Sequence, residues 1–219
     1  DDDIFLPWTW KFDSEFKNQK GYSIVDKLPE VIWLNTDGKA TKVMYDYYDF
    51  TSWLFNENFS KNVGGWCAKN GLHLTGHIMH EDNLWSQTIA VGDAMRAYQY
   101  FGIPGVDLLC DRRELNTLKQ CQSVVRQRGK DGMLSELYGV TDWTFDFRGH
   151  KNQGDWQAAL GVTLRVPHLS WVSMKGSAKR DYPASINYQS PWYKEYSYIE
   201  NHFARVNSAL TRGKAKVKV

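Results

Sequence analysis

The chain has 219 residues, a formal net charge of +2, 42% hydrophobic residues and 24% charged residues. These values are typical of a folded globular protein and exclude a disordered tail, a collagen-like repeat and a small disulfide-stapled domain. The weak positive charge gives no reason to expect a nucleic-acid partner, and no apolar run is long enough to predict a membrane span. Aromatic residues make up 15% of the chain, more than a core of this size needs. Some of these rings are therefore predicted to line a surface on which a ligand stacks.

The first third of the sequence is predicted to be helical. Residues 8–34 have the pattern of a helix, a turn at Gly21 and a short helix that is broken at Pro29. Apolar residues recur at three- and four-residue spacing over 42–69, which predicts one long helix. Gly71 follows it and is well placed to adopt the left-handed conformation that ends a helix.

The rest of the sequence alternates between predicted strands and predicted helices, which is typical of a parallel sheet built from βα units. The predicted strands cover residues 72–79, 105–110, 132–137 and 164–172, and the predicted helices cover residues 86–100, 115–128, 154–160 and 191–211.

Two α/β architectures fit this alternation, a doubly wound sheet and part of a (β/α)8 TIM barrel. A doubly wound nucleotide-binding sheet is favoured by a glycine-rich phosphate loop, and the sequence has neither of the two common forms. A whole barrel needs about eight βα units and roughly 250 residues. The sequence therefore favours a partial (β/α)8 barrel, about its second half with roughly four units. We expect residues 1–214 to form this partial domain and residues 215–219 to begin a linker or a following strand.

Active sites of both architectures lie at the carboxyl ends of the strands. Each predicted strand end carries a His, Asp or Glu in or just after an apolar run. The candidate catalytic residues are Glu81 and Glu136, and the candidate substrate-binding residues are His77, His80, Asp82, Trp85, Asp107, Arg112, Tyr138, Trp143, His168, Trp171 and Trp192.

Each of the two glutamates also has an explanation that involves no catalysis. Glu136 lies inside an apolar run, where a carboxylate is costly to bury unless it has a partner or a role. A salt bridge to a neighbouring strand is the other explanation for it. Glu81 could instead cap the following helix, because acidic residues are favoured at helix starts.

Two carboxyl groups that face each other across a barrel mouth can hydrolyse a glycoside, one as proton donor and the other as nucleophile or base. Trp and Tyr rings beside them fit this chemistry, since sugars present apolar CH faces to aromatic rings. Zinc hydrolases and serine hydrolases are less well supported, because the H-E-x-x-H and G-x-S-x-G motifs are absent. The three cysteines have no metal-binding spacing and are predicted to be buried free thiols.

Several motifs together resemble the α-L-rhamnosidase-like proteins of glycoside hydrolase family 106. They lie at residues 71–77, Glu81-Asp82, 103–107, 135–139, 154–157, 179–183 and 188–192. The resemblance implies a (β/α)8 catalytic barrel within a longer chain that also carries β-sandwich modules. It also implies an inverting mechanism with two glutamates, and calcium in some members. On this resemblance Glu81 is the acid and Glu136 the base, although the acid could instead lie upstream of Asp1.

The expected function is hydrolysis of a terminal glycosidic bond, with an α-L-rhamnoside favoured. A related barrel glycosidase, such as a β-galactosidase-like enzyme, and a non-catalytic carbohydrate-binding fragment are the alternatives. The expected partners are an oligosaccharide or glycoside and either the rest of a longer chain or a second copy, because half a barrel leaves two sheet edges unpaired. The bacterial cytoplasm and a secreted or periplasmic location both stay open.

Overall fold

The computed structural model describes residues 5–180 and 182–216 of the chain. Nine α-helices and four β-strands lie in these ranges. The helices are α1 Phe12–Lys20, α2 Leu28–Ile32, α3 Lys42–Phe55, α4 Lys61–Lys69, α5 Leu84–Ala90, α6 Ala94–Tyr98, α7 Leu115–Arg128, α8 Phe147–Ala159 and α9 Ser197–Leu210. The strands are β1 Thr75–Gly76, β2 Ile103–Asp107, β3 Leu134–Leu137 and β4 Leu164–Pro167.

The four strands form one parallel sheet in the order β1-β2-β3-β4. Consecutive strands are neighbours, and each connection carries at least one helix, as expected of βα units. The fold is thus mixed α/β with a parallel sheet, and it is compatible with part of an α/β barrel. The sequence predicts the start of a linker or strand at residues 215–219, of which residues 217–219 lie outside the described residues.

Several helices begin at a side chain that accepts hydrogen bonds from the first free backbone amides. Thr41 caps α3, Asn83 caps α5, Glu114 caps α7 and Asp146 caps α8. Gly129 ends α7 in the left-handed conformation with φ 60°. The predicted helix over 115–128 is therefore confirmed at both ends.

The helical segment over 42–69 is also confirmed, although a π-helical stretch, Asn56–Ser60, separates α3 from α4. The predicted helix over 86–100 is wrong in one respect, since it divides into α5 and α6. Gly92 has φ 86°, and a side chain there would overlap Ser52 of α3. The close approach of α3 therefore interrupts the helix.

The strands are shorter than the sequence predicts, and β2 begins two residues earlier, at Ile103. The predicted break at Ile103-Pro104 is wrong because both residues pair with β1. The predicted helix over 154–160 begins seven residues earlier, at Phe147. Its first turns are polar and carry Gly149, so they lack the apolar spacing that indicates a helix.

The sheet has one covered face and one open face. Val106 and Ser135 are fully buried on the face that α6 to α9 cover, and Arg165 on that face bonds Glu200 of α9 at 2.6 Å. Side chains alternate along a strand, so the neighbouring positions lie on the opposite face. There Leu164 and Val166 are 42% and 41% exposed. The open face leads directly to the carboxyl ends of the strands.

Candidate functional site

A row of four titratable side chains crosses the carboxyl ends of the four strands. The strand-end row consists of His77 after β1, Asp107 at the end of β2, Glu136 in β3 and His168 after β4. The row is brought together by the parallel register, in which Asp107 is the direct partner of Glu136.

Each carboxyl group of the strand-end row has a histidine next to it. The Nε2 atom of His77 lies 3.9 Å from Oδ2 of Asp107, and the Nε2 atom of His168 lies 3.8 Å from Oε1 of Glu136. The Glu136 side chain is 34% exposed, and the His168 side chain is 8% exposed. Glu136 is therefore open to a ligand, while His168 packs beneath it.

The surroundings of Asp107 perturb its protonation. Partial burial raises the pKa of its carboxyl, and the negative charge of Glu136 raises it further, while His77 and His168 oppose the shift. Two adjacent carboxyl groups disfavour the doubly ionised state, so one of them tends to hold a proton. Such a pair can supply one proton donor and one acceptor.

Glu81 lies beneath this row and is only 4% exposed. Its carboxylate accepts hydrogen bonds from the Asp107 backbone amide at 2.9 Å, from the Ile78 backbone amide at 3.3 Å and from the Tyr98 hydroxyl. Burial raises the pKa of this carboxyl to about 7, against the lowering effect of the three donors. The side chain points into the fold towards α6.

The backbone carbonyl of Glu81 is also heavily used. It accepts hydrogen bonds from Gln87 at 3.4 Å, Asn116 at 3.4 Å and Gln120 at 3.3 Å. These side chains come from α5 and α7, so one residue joins the ends of β1 and β2 to three helices. The sequence did not predict Tyr98 as part of this arrangement, because its position in α6 has only the apolar pattern of a core residue.

The loops after the strands hold strained backbone. Five non-glycine residues with positive φ occur among the described residues, and all lie in these loops: His80, Cys110, Tyr138, Val140 and Asp142. A β-branched residue such as Val140, with φ 59°, is a marked outlier in this region. Strained residues cluster at binding sites and active sites, where the surrounding structure holds them. Here the Val140 amide donates to the Tyr182 carbonyl at 3.2 Å, which helps to hold this loop.

The structure brings six of the predicted site residues together around one cavity. It has a volume of about 380 Å³ and its lining includes His77, His80, Glu81, Asp82, Asp107 and Arg112. Two further predicted residues, Trp143 and Trp171, line a second cavity of about 200 Å³, with ring centroids 5.6 Å apart and ring planes tilted by 57°. Trp143 therefore lies on the loop after β3, the strand that carries Glu136, and Trp171 lies with His168 on the loop after β4.

Three predicted residues lie elsewhere. Tyr138 is fully buried, and its hydroxyl donates to the His150 carbonyl at 3.3 Å. Trp192 donates its indole N–H to the Ser185 carbonyl at 2.8 Å. Trp85 is 64% exposed and lines a separate cavity between α3 and α5.

Five more tryptophans account for much of the aromatic surplus, and they lie far from the strand ends in sequence. Trp8, Trp10, Trp33, Trp53 and Trp66 are all exposed in or beside the first four helices. The prediction that the surplus gathers at the strand ends therefore holds for only part of it.

The described residues offer no metal site of the usual kind. No group of three or more His, Cys, Asp or Glu side chains that could hold an ion occurs in residues 5–180 and 182–216. These residues therefore supply no cluster of three carboxylates for the calcium that the resemblance implies. Over the same residues, no helix combines the length and apolar character needed to cross a bilayer. Cys67, Cys110 and Cys121 are free thiols, of which only Cys121 is buried.

Comparison with known proteins identifies a distant relative. No protein-family model matches the chain. A protein named "Putative beta-glucuronidase" from Formosa agariphila is 25% identical over 217 aligned residues, which cover 94% of this chain and 18% of that protein. The chain thus spans about a fifth of the length of this curated relative. The similarity supports a glycoside-hydrolase-like protein in this coarse sense.

Proposed function

We propose that this chain forms part of the catalytic (β/α)8 barrel of a glycoside hydrolase that cleaves terminal glycosidic bonds. The observation that carries the proposal is the register pairing of Asp107 with Glu136 at the carboxyl ends of two parallel strands. The similarity to a protein named as a glycosidase supports the same reaction class. The remaining strands would come from the rest of a longer chain and would pair with the free edges of β1 and β4.

Glu136 is the proposed general base. Its side chain is exposed enough to contact a water molecule or a sugar, and His168 lies 3.8 Å from one of its oxygens. A carboxylate in this position can remove a proton from the water that attacks the anomeric carbon.

Two carboxyl groups compete for the role of proton donor. Glu81 is the donor that the resemblance implies, and its pKa of about 7 would let it keep a proton near neutral pH. Asp107 also has a raised pKa, and its side chain is more exposed and lies beside Glu136. A proton donor must come within hydrogen-bond reach of the leaving oxygen. We therefore favour Asp107 over the covered Glu81.

The substrate proposal rests on two sources that name different sugars. The resemblance of the sequence motifs favours an α-L-rhamnoside, whereas the name of the relative favours a β-glucuronide. A β-galactoside is the third candidate, from the alternative barrel glycosidases. The Trp143–Trp171 pair offers aromatic faces on which any of these rings could stack.

A panel of nitrophenyl glycosides tests the proposal on the protein that contains this chain. We expect turnover of one of the three glycosides, and we expect Glu136→Gln to abolish it while the folded state is retained. The matched control is Glu57→Gln, which removes a carboxylate that pairs only with Lys61 on the surface. Near-normal activity of Glu136→Gln would refute the assignment, and glycan binding without turnover by the unaltered protein would favour a non-catalytic binding role.

A further inference from the structure

The carboxylate of Glu81 is shared by three donors from three different parts of the fold. The Ile78 amide belongs to the loop after β1, the Asp107 amide ends β2, and the Tyr98 hydroxyl comes from the end of α6. Oε1 accepts from Asp107, and Oε2 accepts from Ile78 and Tyr98. Both oxygens are therefore occupied inside the protein.

These hydrogen bonds act on the main chain of the residues that carry the site. The Asp107 amide is fixed by Glu81 while the register with β3 sets Asp107 beside Glu136. Fixing the amide at the strand end limits the backbone rotation that would turn the Asp107 side chain away from Glu136. Because Glu81 is 4% exposed, it influences the cavity through these amides and has little surface for a substrate to contact.

We propose that Glu81 is a positioning residue, whose buried carboxylate ties the ends of β1 and β2 together and thereby holds Asp107 beside Glu136. The consequence for catalysis rests on the proposed function, whereas the hydrogen-bonded link itself does not depend on any activity. This role differs from that of the proton donor, which the resemblance assigns to the same residue.

The hydrogen-bonded link between Glu81 and the ends of β1 and β2 depends on the ionisation of Glu81. A carboxylate accepts from all three donors, but a protonated carboxyl turns one oxygen into a donor and cannot satisfy them together. The titratable groups that face it are Tyr98 of α6, Cys121 of α7 and Asp107 of β2. Burial raises the pKa values of Tyr98 and Cys121 above their usual range, so neither ionises near neutral pH. The link should therefore tighten as the pH rises through about 7, the pKa of Glu81.

The first experiment measures the link without any substrate. In the isotope-labelled chain, the amide resonances of Ile78 and Asp107 should shift with a common midpoint near pH 7, because both amides donate to Glu81. This transition should disappear in Glu81→Gln. If the Glu81 variant does not fold, Tyr98→Phe provides the test, since losing its hydrogen bond should move the midpoint to higher pH. Tyr100→Phe, two residues away in sequence, is the control and should leave the midpoint unchanged.

Two results of this experiment would overturn the proposal. One is the absence of a common transition at the two amides. The other is a transition that persists in Glu81→Gln with the same midpoint, because it would then report a different group.

The second experiment separates positioning from proton donation. In the protein that contains this chain, Glu81→Gln should lower kcat by about 100-fold, the scale expected when reacting groups are misplaced by about 1 Å. The loss should grow as the leaving group becomes more basic, as it should in Asp107→Asn, and Glu81→Gln should cause little further loss in the Asp107→Asn protein, because Glu81 acts through Asp107. A loss of the same size in the presence and absence of the Asp107 carboxylate would show that Glu81 acts independently, as a proton donor would, and overturn the proposal, and so would unchanged kcat. If the unaltered protein hydrolyses no glycoside, the proposed function fails while the amide titration still decides the role of Glu81.

Discussion

The buried carboxyl of Glu81 predicts a specific dependence of stability on pH. Its pKa is about 7 in the folded protein, compared with an ordinary value of 4.5 for an exposed glutamate. Between these two values the folded protein keeps the proton that the unfolded chain releases. Since the group has the higher pKa in the folded state, its contribution to the free energy of unfolding is full below pH 4.5 and is lost as the pH rises to 7.

The size of this effect follows from the difference between the two pKa values. Each unit of difference corresponds to about 1.4 kcal/mol, so the shift of Glu81 amounts to about 3 kcal/mol. Burial of the residue makes the full conversion appropriate. Glu81→Gln cannot ionise and should lack this pH dependence. We therefore expect the free energy of unfolding of the unaltered chain, minus that of Glu81→Gln, to fall by about 3 kcal/mol between pH 4.5 and pH 7.

Urea unfolding followed by tryptophan fluorescence at half-unit steps of pH measures this difference. Asp107 also has a raised pKa, but it is present in both proteins and largely cancels in the subtraction. Glu57→Gln serves as the control, because that carboxylate is in a surface pair and should give a nearly constant difference. A difference for Glu81→Gln that stays within 1 kcal/mol over the whole pH range would refute the reasoning, since it would mean that the carboxyl titrates normally.

Two further predictions concern the backbone and are measured by urea unfolding at fixed pH. Gly64→Ala should lower the free energy of unfolding by about 3 kcal/mol, because its new methyl group would overlap the Tyr100 carbonyl oxygen. Gly65, the next residue of the same helix, has open space around it, so Gly65→Ala should raise the free energy of unfolding by about 1 kcal/mol. Equal effects of the two substitutions would contradict the packing of α4. Val140→Gly should raise it by about 1 kcal/mol, because glycine adopts positive φ without strain. A loss of stability there would show that the Val140 side chain contributes more by its contacts than its backbone costs.

Helices and strands could be predicted from the sequence where their signals lie within a few neighbouring residues. The helix over 115–128 combines apolar spacing with Gly129, and both of its ends are confirmed. The apolar runs indicated all four strands, and their alternation with helices indicated the parallel arrangement. Their lengths could not be predicted in the same way, because apolar residues continue past the last paired residue into the strand-end loops, as at Leu108 and Leu169.

In the candidate site too, local features could be predicted from the sequence, whereas contacts between distant residues could not. The sequence identified Glu136 and Asp107 as residues at strand ends, because a polar residue after an apolar run is visible in one dimension. It did not indicate that these two are direct partners, since the register of parallel strands depends on how the helices between them pack. The contact between Tyr98 and Glu81, seventeen residues apart, likewise follows from the position of α6 and not from any motif.

The position of Glu81 imposes opposite demands on function and stability. Its ionised form makes all three hydrogen bonds that hold the strand ends, but ionisation in a buried site costs the fold about 3 kcal/mol. The donors reduce this cost, because each of them lowers the pKa that burial raises. Removing one donor should therefore move the pH at which the link loosens to a higher value, and removing burial should move it to a lower value. A neutral side chain would serve stability alone better, so the presence of a carboxylate at this position supports a role in holding Asp107 beside Glu136.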